Sequence, residues 1–336
     1  MKKQPAYELI WNGKDLTKAL DPYLTNLVFA DREQGESDEL EFTLDDREGL
    51  WRNQYYPRKG DPVSLKLGWK DGVFDPCGSF QIDEIETVRS TQGHFVTIKA
   101  LSAIITEPLR TKRRARYENI TLLRLATTIA SKGGMTVSGY IENITLKGIA
   151  QHRETDLGFL RRVSTMYGYV FSIKSNKLVF TKSDRLQARA SVARISPDNC
   201  DSIRITDATD LSVKSVKHTY WDAEKRKRVS YEYQGSSGFT KPDTLQIEGH
   251  VSNQQQSELK AKAAWLKANN GTVSGTIEFG FGVSGILAGN NIEIIRMGVV
   301  SGLYHISSTR HSVAFGTGAR LTADVFKVGS VPASLY

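Results

Sequence analysis

The sequence lacks the features that define several large classes of protein. Its 336 residues include only two cysteines, Cys77 and Cys200, with no CxxC pair and no spacing typical of a zinc site. We therefore expect two free thiols in a reducing compartment. No apolar run approaches the roughly 18–20 residues that a membrane-spanning helix needs. Polar residues also interrupt the opening stretch MKKQPAYELIWNG, so we expect neither a signal peptide nor membrane insertion.

Signatures of catalysis are also missing. The sequence contains no Gly-x-Ser-x-Gly turn, no HExxH motif and no GxGxxG or GK[ST] phosphate loop. Of the six histidines, His305 and His311 share a predicted hairpin but fit ordinary strand positions better than a zinc site. The acidic residues around 38–46 fit the solvent face of a strand better than a catalytic carboxylate pair. The sequence therefore predicts no enzyme and no catalytic, cofactor-binding or metal-binding residue.

Charge is distributed unevenly along the chain, whose net charge is +8. Residues 1–106 carry 13 basic and 18 acidic side chains, and residues 107–190 carry 16 and 6. Residues 191–336 carry 16 and 13, so the net charges of the three segments are −5, +10 and +3. Such sorting indicates partner surfaces of different charge, and it says little about the fold.

One β-pattern occurs twice in the sequence. Each copy begins with Gly-Asp or Gly-Asn, continues with alternating apolar residues and reaches a Gly-x-aromatic-x-Ile motif, as strands with one buried face do. The first copy contains Gly60, Asp61, Val63, Leu65, Gly78, Phe80, Ile82, Val96 and Thr97. The second contains Gly289, Asn290, Ile292, Ile294, Gly302, Tyr304, Ile306, Leu321 and Thr322. The repetition predicts two related β-domains in one chain.

Between the two copies the pattern changes to mixed helices and strands. Asn119 or Thr121 can cap one helix and Thr155 another, and Gly-Gly at 133–134 and Gly168 would end them. A hairpin over residues 169–180 would complete a small α+β domain.

The third segment contains a long predicted hairpin and the clearest helix. Residues 211–220 and 227–233 alternate and would pair, with Lys225 to Arg228 near the tip. The helix spans about 252–269, and we expect Ser252 or Ser257 to cap it. Its buried face would contain Leu259, Ala263 and Leu266.

The basic middle segment leaves nucleic-acid binding open as an alternative function. Its aromatic residues could form a stacking face for bases; they are Tyr117, Tyr167, Tyr169 and Phe171. However, Tyr167 and Phe171 also fit core positions. An acidic protein partner, or a simply solvated face, would explain the charge equally well.

Several motifs, in a fixed order along the chain, carry a family resemblance. They are DELEFTL from Asp38, Gly60-Asp61, Gly78-x-Phe80-x-Ile82-Asp83, ETDLGFL from Glu154, SELKAKAAWLKAN from Ser257, Gly271-Thr272-Val273-x-Gly275, Leu287-Ala288-Gly289-Asn290-x-Ile292, Gly302-x-Tyr304-x-Ile306 and His311. In this order they closely resemble the phage late control D family. Its members are the baseplate hub proteins of contractile phage tails and of R-type tail-like bacteriocins (tailocins). The resemblance covers nearly the whole chain.

The resemblance implies a structural protein with an α+β, β-rich fold. Two similar antiparallel β-barrel domains, residues 1–106 and 191–336, would flank the basic α+β domain, residues 107–190. Three such chains would make a homotrimer with a ring of six barrels, which adapts the sixfold tail tube to the threefold central spike. The hub part of type VI secretion VgrG proteins is similar. Two copies per chain and three chains account for this change of symmetry.

The resemblance also implies partners and a location. The partners are the central spike protein, the tail tube protein, other baseplate proteins and the tape-measure protein. The protein would assemble in the bacterial cytoplasm and then belong to the baseplate of a phage or of a headless bacteriocin, between which the sequence does not choose. We further expect the acidic Asp38–Asp46 face to meet less acidic surfaces around the ring. Besides nucleic-acid binding, a tail-tip cell-wall hydrolase is a remaining alternative, but it has no supporting motif.

Overall fold

The computed structural model describes most of the chain, and the turn residue Ser175, the hairpin-tip residues 223–224 and the cap candidate Ser252 lie outside it. The described residues are 4–34, 37–70, 72–91, 93–102, 109, 111–174, 176–208, 212–222, 225–235, 243–251, 253–280, 285–314 and 318–328. Within these ranges, no helix is both long and apolar enough to cross a membrane.

Strands dominate the described structure, as the sequence predicts. The first β-region contains β1 (Pro5–Trp11), β2 (Lys14–Asp15), α1 (Thr17–Leu20), β3 (Leu24–Arg32), β4 (Glu39–Asp45), β5 (Pro62–Trp69), β6 (Phe74–Ser90) and β7 (Gly93–Leu101). The middle region contains β8 (Arg113–Thr121), α2 (Leu122–Lys132), β9 (Thr136–Gly139), β10 (Thr145–Glu154), α3 (Asp156–Met166), β11 (Tyr169–Lys174), β12 (Lys177–Lys182) and α4 (Ser183–Gln187).

The last region contains the second copy of the repeat and an inserted unit. Its elements are β13 (Ser191–Ile195), β14 (Ser202–Asp207), β15 (Ser215–Asp222), β16 (Lys227–Gln234), β17 (Thr244–Glu248), α5 (Gln254–Asn269), β18 (Val273–Phe279), β19 (Asn291–Ile294), a 3-10 turn (Gly298–Val300), β20 (Gly302–Ala314) and β21 (Gly318–Lys327).

The two β-regions share one strand order, which confirms that they are similar. In the first, hydrogen-bonded neighbours follow the order β3-β4-β7-β6-β5-β1. In the second, the order is β14-β18-β21-β20, with β19 on β20 and β13 on β19. Each strand in these two orders therefore has a counterpart, and β2, which pairs with β1, lies outside the match. The last pair differs in direction, because β1 runs antiparallel to β5 whereas β13 runs parallel to β19.

The aromatic residues of the repeated motif occupy equivalent core positions. Phe80 pairs with Val63 across β6 and β5, and Tyr304 pairs with Ile292 across β20 and β19. Both aromatic side chains are buried, and they belong to separate hydrophobic clusters, one in each β-region. The alternation in the sequence therefore reports the inward face of each sheet correctly.

The glycine that opens each copy makes the same turn in both. Gly60 and Gly289 have φ values of +89° and +86°, which a residue with a Cβ rarely adopts. The Gly60 N–H donates to the Ile82 carbonyl at 2.7 Å, and the Gly289 N–H donates to the Ile306 carbonyl at 2.9 Å. Just after each isoleucine the strand pairing shifts by one residue at a β-bulge.

A single sheet of 13 strands joins the two β-regions. Residues 308–314 of β20 pair with residues 26–32 of β3, while the other edge of β20 pairs with β21. Among the described strands, no pair joins β3 to β1 or β14 to β13, so the predicted closure of each sheet into a barrel is not detected. Each β-region has its own hydrophobic cluster.

The middle region contains two small sheets and two capped helices around one apolar cluster. Thr121 caps α2 by accepting a hydrogen bond from the Arg124 N–H at 3.2 Å. Thr155 caps α3 through the Gly158 N–H at 3.1 Å. Of the two cap candidates for α2, Thr121 is therefore correct and Asn119 is not, because it lies within β8 with φ of +48°.

An inserted unit lies between β14 and β18. The predicted hairpin is confirmed as β15 and β16, and β17 adds to β15 in parallel. Helix α5 packs on this sheet and also contacts α3 of the middle region.

The predicted boundaries of α5 are correct, but its cap and its buried face are not. Asn253 is the cap, accepting from the Gln256 N–H at 3.0 Å, and Ser257 lies one turn inside the helix. Of the three residues expected on the buried face, only Ala263 is buried. Because α5 lies between two units, it also buries polar residues such as Lys260 on another side.

Candidate functional site: sheet edges and the junction of the regions

The pairing of β3 with β20 uses two edges, and the repeat contains equivalents of both. Residues 309–313 of β20 lie opposite residues 27–31 of β3. Because β6 corresponds to β20 and β14 corresponds to β3, the equivalent segments are residues 85–89 and residues 203–207. One edge of residues 85–89 pairs with β7, and one edge of residues 203–207 pairs with β18. The opposite edge of each segment has no strand partner among the described strands. The structure thus contains one formed edge pair and the two halves of another.

The two open edges carry complementary side chains. Glu86 and Arg204 are exposed, and Val88 is 37% exposed. If the two open edges paired in the same register as β3 and β20, Val88 would lie directly opposite Arg204. Glu86 would then lie diagonally across from Arg204 on the same face. Open edges of this kind are the usual sites at which sheets pair with another chain.

A buried polar network connects the three regions. The Asn291 amide nitrogen donates to the carbonyls of Leu186, Gln187 and Arg189, which end the middle region, at 3.0, 3.0 and 2.7 Å. His305 completes the network, because its Nδ1 contacts Asn291 Oδ1 and its Nε2 contacts Glu33 Oε1. Asn291 and His305 are 0% and 1% exposed, so these bonds are made away from water. Nothing in the spacing of these residues indicated that they meet.

A second buried cluster joins the first β-region to the hairpin of the middle region. The Lys174 ammonium donates to Asp31 and to Asp38, with 2.8 Å to Asp38 Oδ2. Burial raises the pKa of Asp38; Lys174 opposes this effect and the negative Asp31 reinforces it. For Lys174, burial would lower the pKa, but the two carboxylates outweigh it and raise the pKa. The Ala288 N–H also donates to Asp31, at 3.0 Å, so this cluster contacts all three regions.

The predicted acidic face is wrong at both of its ends. Asp38 and Asp46 are each only 2% exposed, because Asp38 binds Lys174 and Asp46 accepts from the Trp51 N–H at 2.8 Å. Between them, Glu39 and Glu41 are half-buried. Reversing the charge of Asp38 or Asp46 would therefore disturb the fold, so these two residues do not belong to an exposed acidic face.

The histidines do not converge on a site. His305 belongs to the junction network, whereas burial lowers the pKa of His311 to about 4, beside the ring of Phe29. Within the described ranges, no group of three or more His, Cys, Asp or Glu side chains could hold a metal ion.

The aromatic residues of the basic region lie in its core instead of on a stacking face. Tyr167, Tyr169 and Phe171 are buried, and Tyr117 stacks on Phe159 at 5.4 Å between ring centroids. Part of the positive charge is also used internally, because the buried Asp156 carboxylate accepts from Lys132 at 2.7 Å, with Arg113 at 3.4 Å.

Comparison with known proteins finds a hub protein among the relatives. A probable baseplate hub protein of Escherichia phage 186 is 32% identical to this chain over 181 residues, which are 53% of this chain and 45% of that protein. The chain thus spans about half the length of the curated relative it matches. No protein-family model matches the chain.

Solved structures share the fold over nearly the whole chain. A tail protein from Neisseria meningitidis MC58 superposes with a TM-score of 0.70 at 14% identity, covering 98% of both chains. An Escherichia coli component of the type VI secretion system has a TM-score of 0.56 at 14% identity, covering 91% of this chain and 74% of that one. Together with the phage relative, they confirm the predicted resemblance to phage baseplate hub proteins and their type VI secretion counterparts.

Proposed function

We propose that this chain is the structural baseplate hub of a contractile tail, a homotrimer that adapts a sixfold tail tube to a threefold central spike. The observation that carries the proposal is the edge pairing of β20 with β3. Two similar sheets are joined inside one chain, and the equivalent edges, residues 85–89 and 203–207, have no partner among the described strands.

Repeating this contact between chains gives a closed assembly. If residues 85–89 of one chain pair with residues 203–207 of the next, every β-region contacts its neighbours through similar edges. Such a head-to-tail contact forms a ring when the rotation closes. Three chains supply six similar β-regions, so the ring has threefold symmetry from the chains and approximate sixfold symmetry from the repeat.

The remaining features of the proposal follow from this role. The units are the first β-region (1–106), the basic region (107–190) and the second β-region with its insertion (191–336). The partners are the tube protein, the spike protein, other baseplate proteins and the tape-measure protein. Function resides in these interfaces and not in catalysis. The protein assembles in the bacterial cytoplasm and then belongs to the baseplate of a phage or tailocin particle.

The proposal is tested by mass and by cross-linking. Native mass spectrometry should give a species of three times the 37.4 kDa chain mass. In the double variant Val88→Cys/Arg204→Cys, directly opposed residues would come within disulfide range at the chain–chain edge. A non-reducing gel should then show covalent trimers that disappear on reduction, while each single variant stays monomeric.

The possible results separate the two parts of the proposal. A monomer in native mass spectrometry would contradict the hub assembly itself. A trimer without the cross-link would keep the assembly and reject this edge pairing. A ladder of covalent oligomers larger than three chains would show that the contact does not close.

A further inference from the structure

A pocket with a cavity volume of about 480 Å³ lies between α3, α5 and β17 of the inserted unit. This size suits a small organic molecule. Met166 and Ile247 contribute apolar surface to its walls, and Lys260 and His218 contribute polar groups. The pocket belongs to neither the sheet edges nor the junction described above, and its polar groups have unusual surroundings.

Lys260 is a buried cation without a carboxylate partner. Its side chain is 7% exposed, its ammonium donates to the His250 carbonyl at 3.0 Å, and it lies 5.5 Å from the centre of the Tyr167 ring. Among the described residues, no acidic side chain forms an ion pair with it. Burial lowers its pKa to about 8. A buried ammonium without a counter-charge is costly, so the site is suited to receive an anion.

His218 provides a second polar atom beside the same space. It is 1% exposed, and its Nδ1 contacts the Ser257 hydroxyl at 2.8 Å. Its Nε2 has no hydrogen-bond partner in the part of the chain that the structure describes. Burial, and after it the charge of Lys260, lowers the His218 pKa to about 4, so the ring is neutral at pH 7. When Ser257 donates to Nδ1, Nε2 carries the proton and can donate to a ligand.

Gly249 lies next to both nitrogens. A Cβ built on Gly249 would lie 3.7 Å from Lys260 Nζ and 3.8 Å from His218 Nε2. These are ordinary van der Waals contacts. An alanine would therefore fit without strain and would place a methyl group against both nitrogens.

The rim of the pocket favours negative charge. Arg161 and Lys267 line it together with Arg162, which pairs with Glu154 at 2.7 Å, and among the described lining residues Glu248 alone is acidic. With Lys260 at depth, the net field at the pocket is positive, and it attracts an anion.

We propose that this pocket binds an organic carboxylate, with its charged end at Lys260 and His218 and its apolar body against Met166 and Ile247. The ammonium would gain its missing counter-charge, and Nε2 would gain an acceptor. The apolar walls favour a carboxylate with a short hydrocarbon body over an inorganic anion such as phosphate. The proposal is independent of the hub assembly.

The chain offers a specific probe for this binding. It has four methionines, so a sample labelled with ¹³C at the methionine methyl groups gives few signals, and a Met166→Leu variant identifies the one at the pocket. Titration with hexanoate should shift the Met166 signal in a saturable way, and the signals of Met135 and Met297 should stay in place. Hexanol lacks the negative charge and inorganic phosphate lacks the hydrocarbon body. Each should shift the Met166 signal at least about tenfold less than hexanoate at equal concentration.

Three variants test the roles of the residues. Lys260→Met should abolish the hexanoate shift. Gly249→Ala should weaken hexanoate binding about tenfold without loss of folding, because its methyl group would lie against both nitrogens. Lys217→Gln is the control, since it removes an exposed positive charge from β15, the strand that contains His218. It should bind hexanoate like the unmodified chain.

Three results would overturn the proposal. The first is an absence of any saturable Met166 shift. The second is an equal response to hexanol, which would show an apolar cavity without anion recognition, or to phosphate, which would show a general anion site. The third is unchanged hexanoate binding in folded Gly249→Ala.

Discussion

Asn291 Oδ1 and His305 Nδ1 form a 2.6 Å hydrogen bond whose direction is determined by the rest of the network. The Asn291 amide nitrogen already donates to three carbonyls, so its oxygen must face the histidine. His305 therefore donates from Nδ1, and Glu33 lies 2.8 Å from Nε2. This pair holds the second β-region, the first β-region and the end of the middle region in one arrangement.

Replacing Asn291 should destabilise the chain strongly. Asn291→Ala removes the donor for three carbonyls and the acceptor for His305, and Asn291→Asp cannot donate to the carbonyls at all. We expect each to lower the free energy of unfolding by about 3 kcal/mol, because buried polar groups lose their partners. Urea unfolding measures this change. Asn143→Ala, at an exposed asparagine, should have little effect, and equal stability of Asn291→Ala and Asn143→Ala would contradict the role of the network.

Replacing Lys174 should make stability depend on pH. In Lys174→Met the buried Asp31 and Asp38 lose their cation, and burial then raises the pKa of Asp38 further. A raised carboxyl pKa stabilises the folded state at low pH, and that stability is lost as the pH rises through the raised value. We expect a loss of about 2 kcal/mol at pH 8, less than for a fully buried pair because Lys174 is 37% exposed. At pH 5 the loss should be much smaller.

The pH dependence of Lys174→Met has a matched control on the neighbouring strand. Lys177→Met removes an exposed positive charge from β12. Urea unfolding of this variant at pH 5 and pH 8 should follow the unmodified chain. A uniform loss of stability in Lys174→Met at both pH values would mean that packing of the lysine stem matters and the carboxylate pair does not.

A charge swap tests the sheet edges in solution. Glu86→Arg or Arg204→Glu alone would place like charges diagonally across the proposed chain–chain edge, and we expect each to weaken trimer formation by about 0.5 kcal/mol per contact. The double variant restores opposite charges and should recover the trimer. Sedimentation or mass photometry across a dilution series gives the association constants. If the double variant weakens the trimer by the sum of the two single effects, Glu86 and Arg204 are not neighbours across the edge.

Gly275 should be intolerant of any side chain. A Cβ at this position would lie 1.9 Å from the Arg204 carbonyl oxygen of the adjacent edge strand β14. Gly275→Ala must therefore displace β14, at a cost of about 3 kcal/mol, and should also abolish the trimer that uses this edge. Hydrogen exchange of residues 203–207 reports the displacement. Gly148→Ala is the control, because a Cβ there meets nothing within 4 Å.

Carboxylate binding at the pocket should weaken in mild alkali. The ligand needs the protonated form of Lys260, whose pKa burial lowers to about 8. Hexanoate affinity should therefore be nearly constant from pH 6 to 7.5 and then fall by up to about tenfold per pH unit well above pH 8. Methionine methyl titrations at several pH values measure it. Constant affinity up to pH 10 would show that Lys260 does not hold the carboxylate.

Much of the architecture could be predicted from local patterns. Alternation in the first copy of the repeat placed Val63 and Leu65 correctly on a buried face. The repeated Gly-x-aromatic-x-Ile motif placed Phe80 and Tyr304 at matched core positions, because an alternating strand reports its own inward side. The caps Thr121 and Thr155 were predictable because a helix cap also depends on local sequence: its hydrogen bond joins residues three positions apart.

The errors occurred where two distant segments meet. Asp38 was predicted to be exposed, but it is buried because Lys174, more than a hundred residues later, lies against it. The buried face of α5 was assigned from one stripe, whereas the helix packs against two units and buries Lys260 as well. Periodicity describes one element facing one core, and it contains no information about a second surface.

The sequence by itself determined that the chain has two similar β-regions, a basic α+β region between them and no catalytic motif, because these depend on alternation, glycine positions and composition. Only the tertiary structure decided that β20 pairs with β3 and leaves the matching edges at residues 85–89 and 203–207 open. It also decided that Asn291 meets His305 and that the Lys260 ammonium lies buried against the Tyr167 ring. Backbone edges pair through N–H and C=O groups that every residue carries, so the choice of partner strand is made by the arrangement of whole sheets in space.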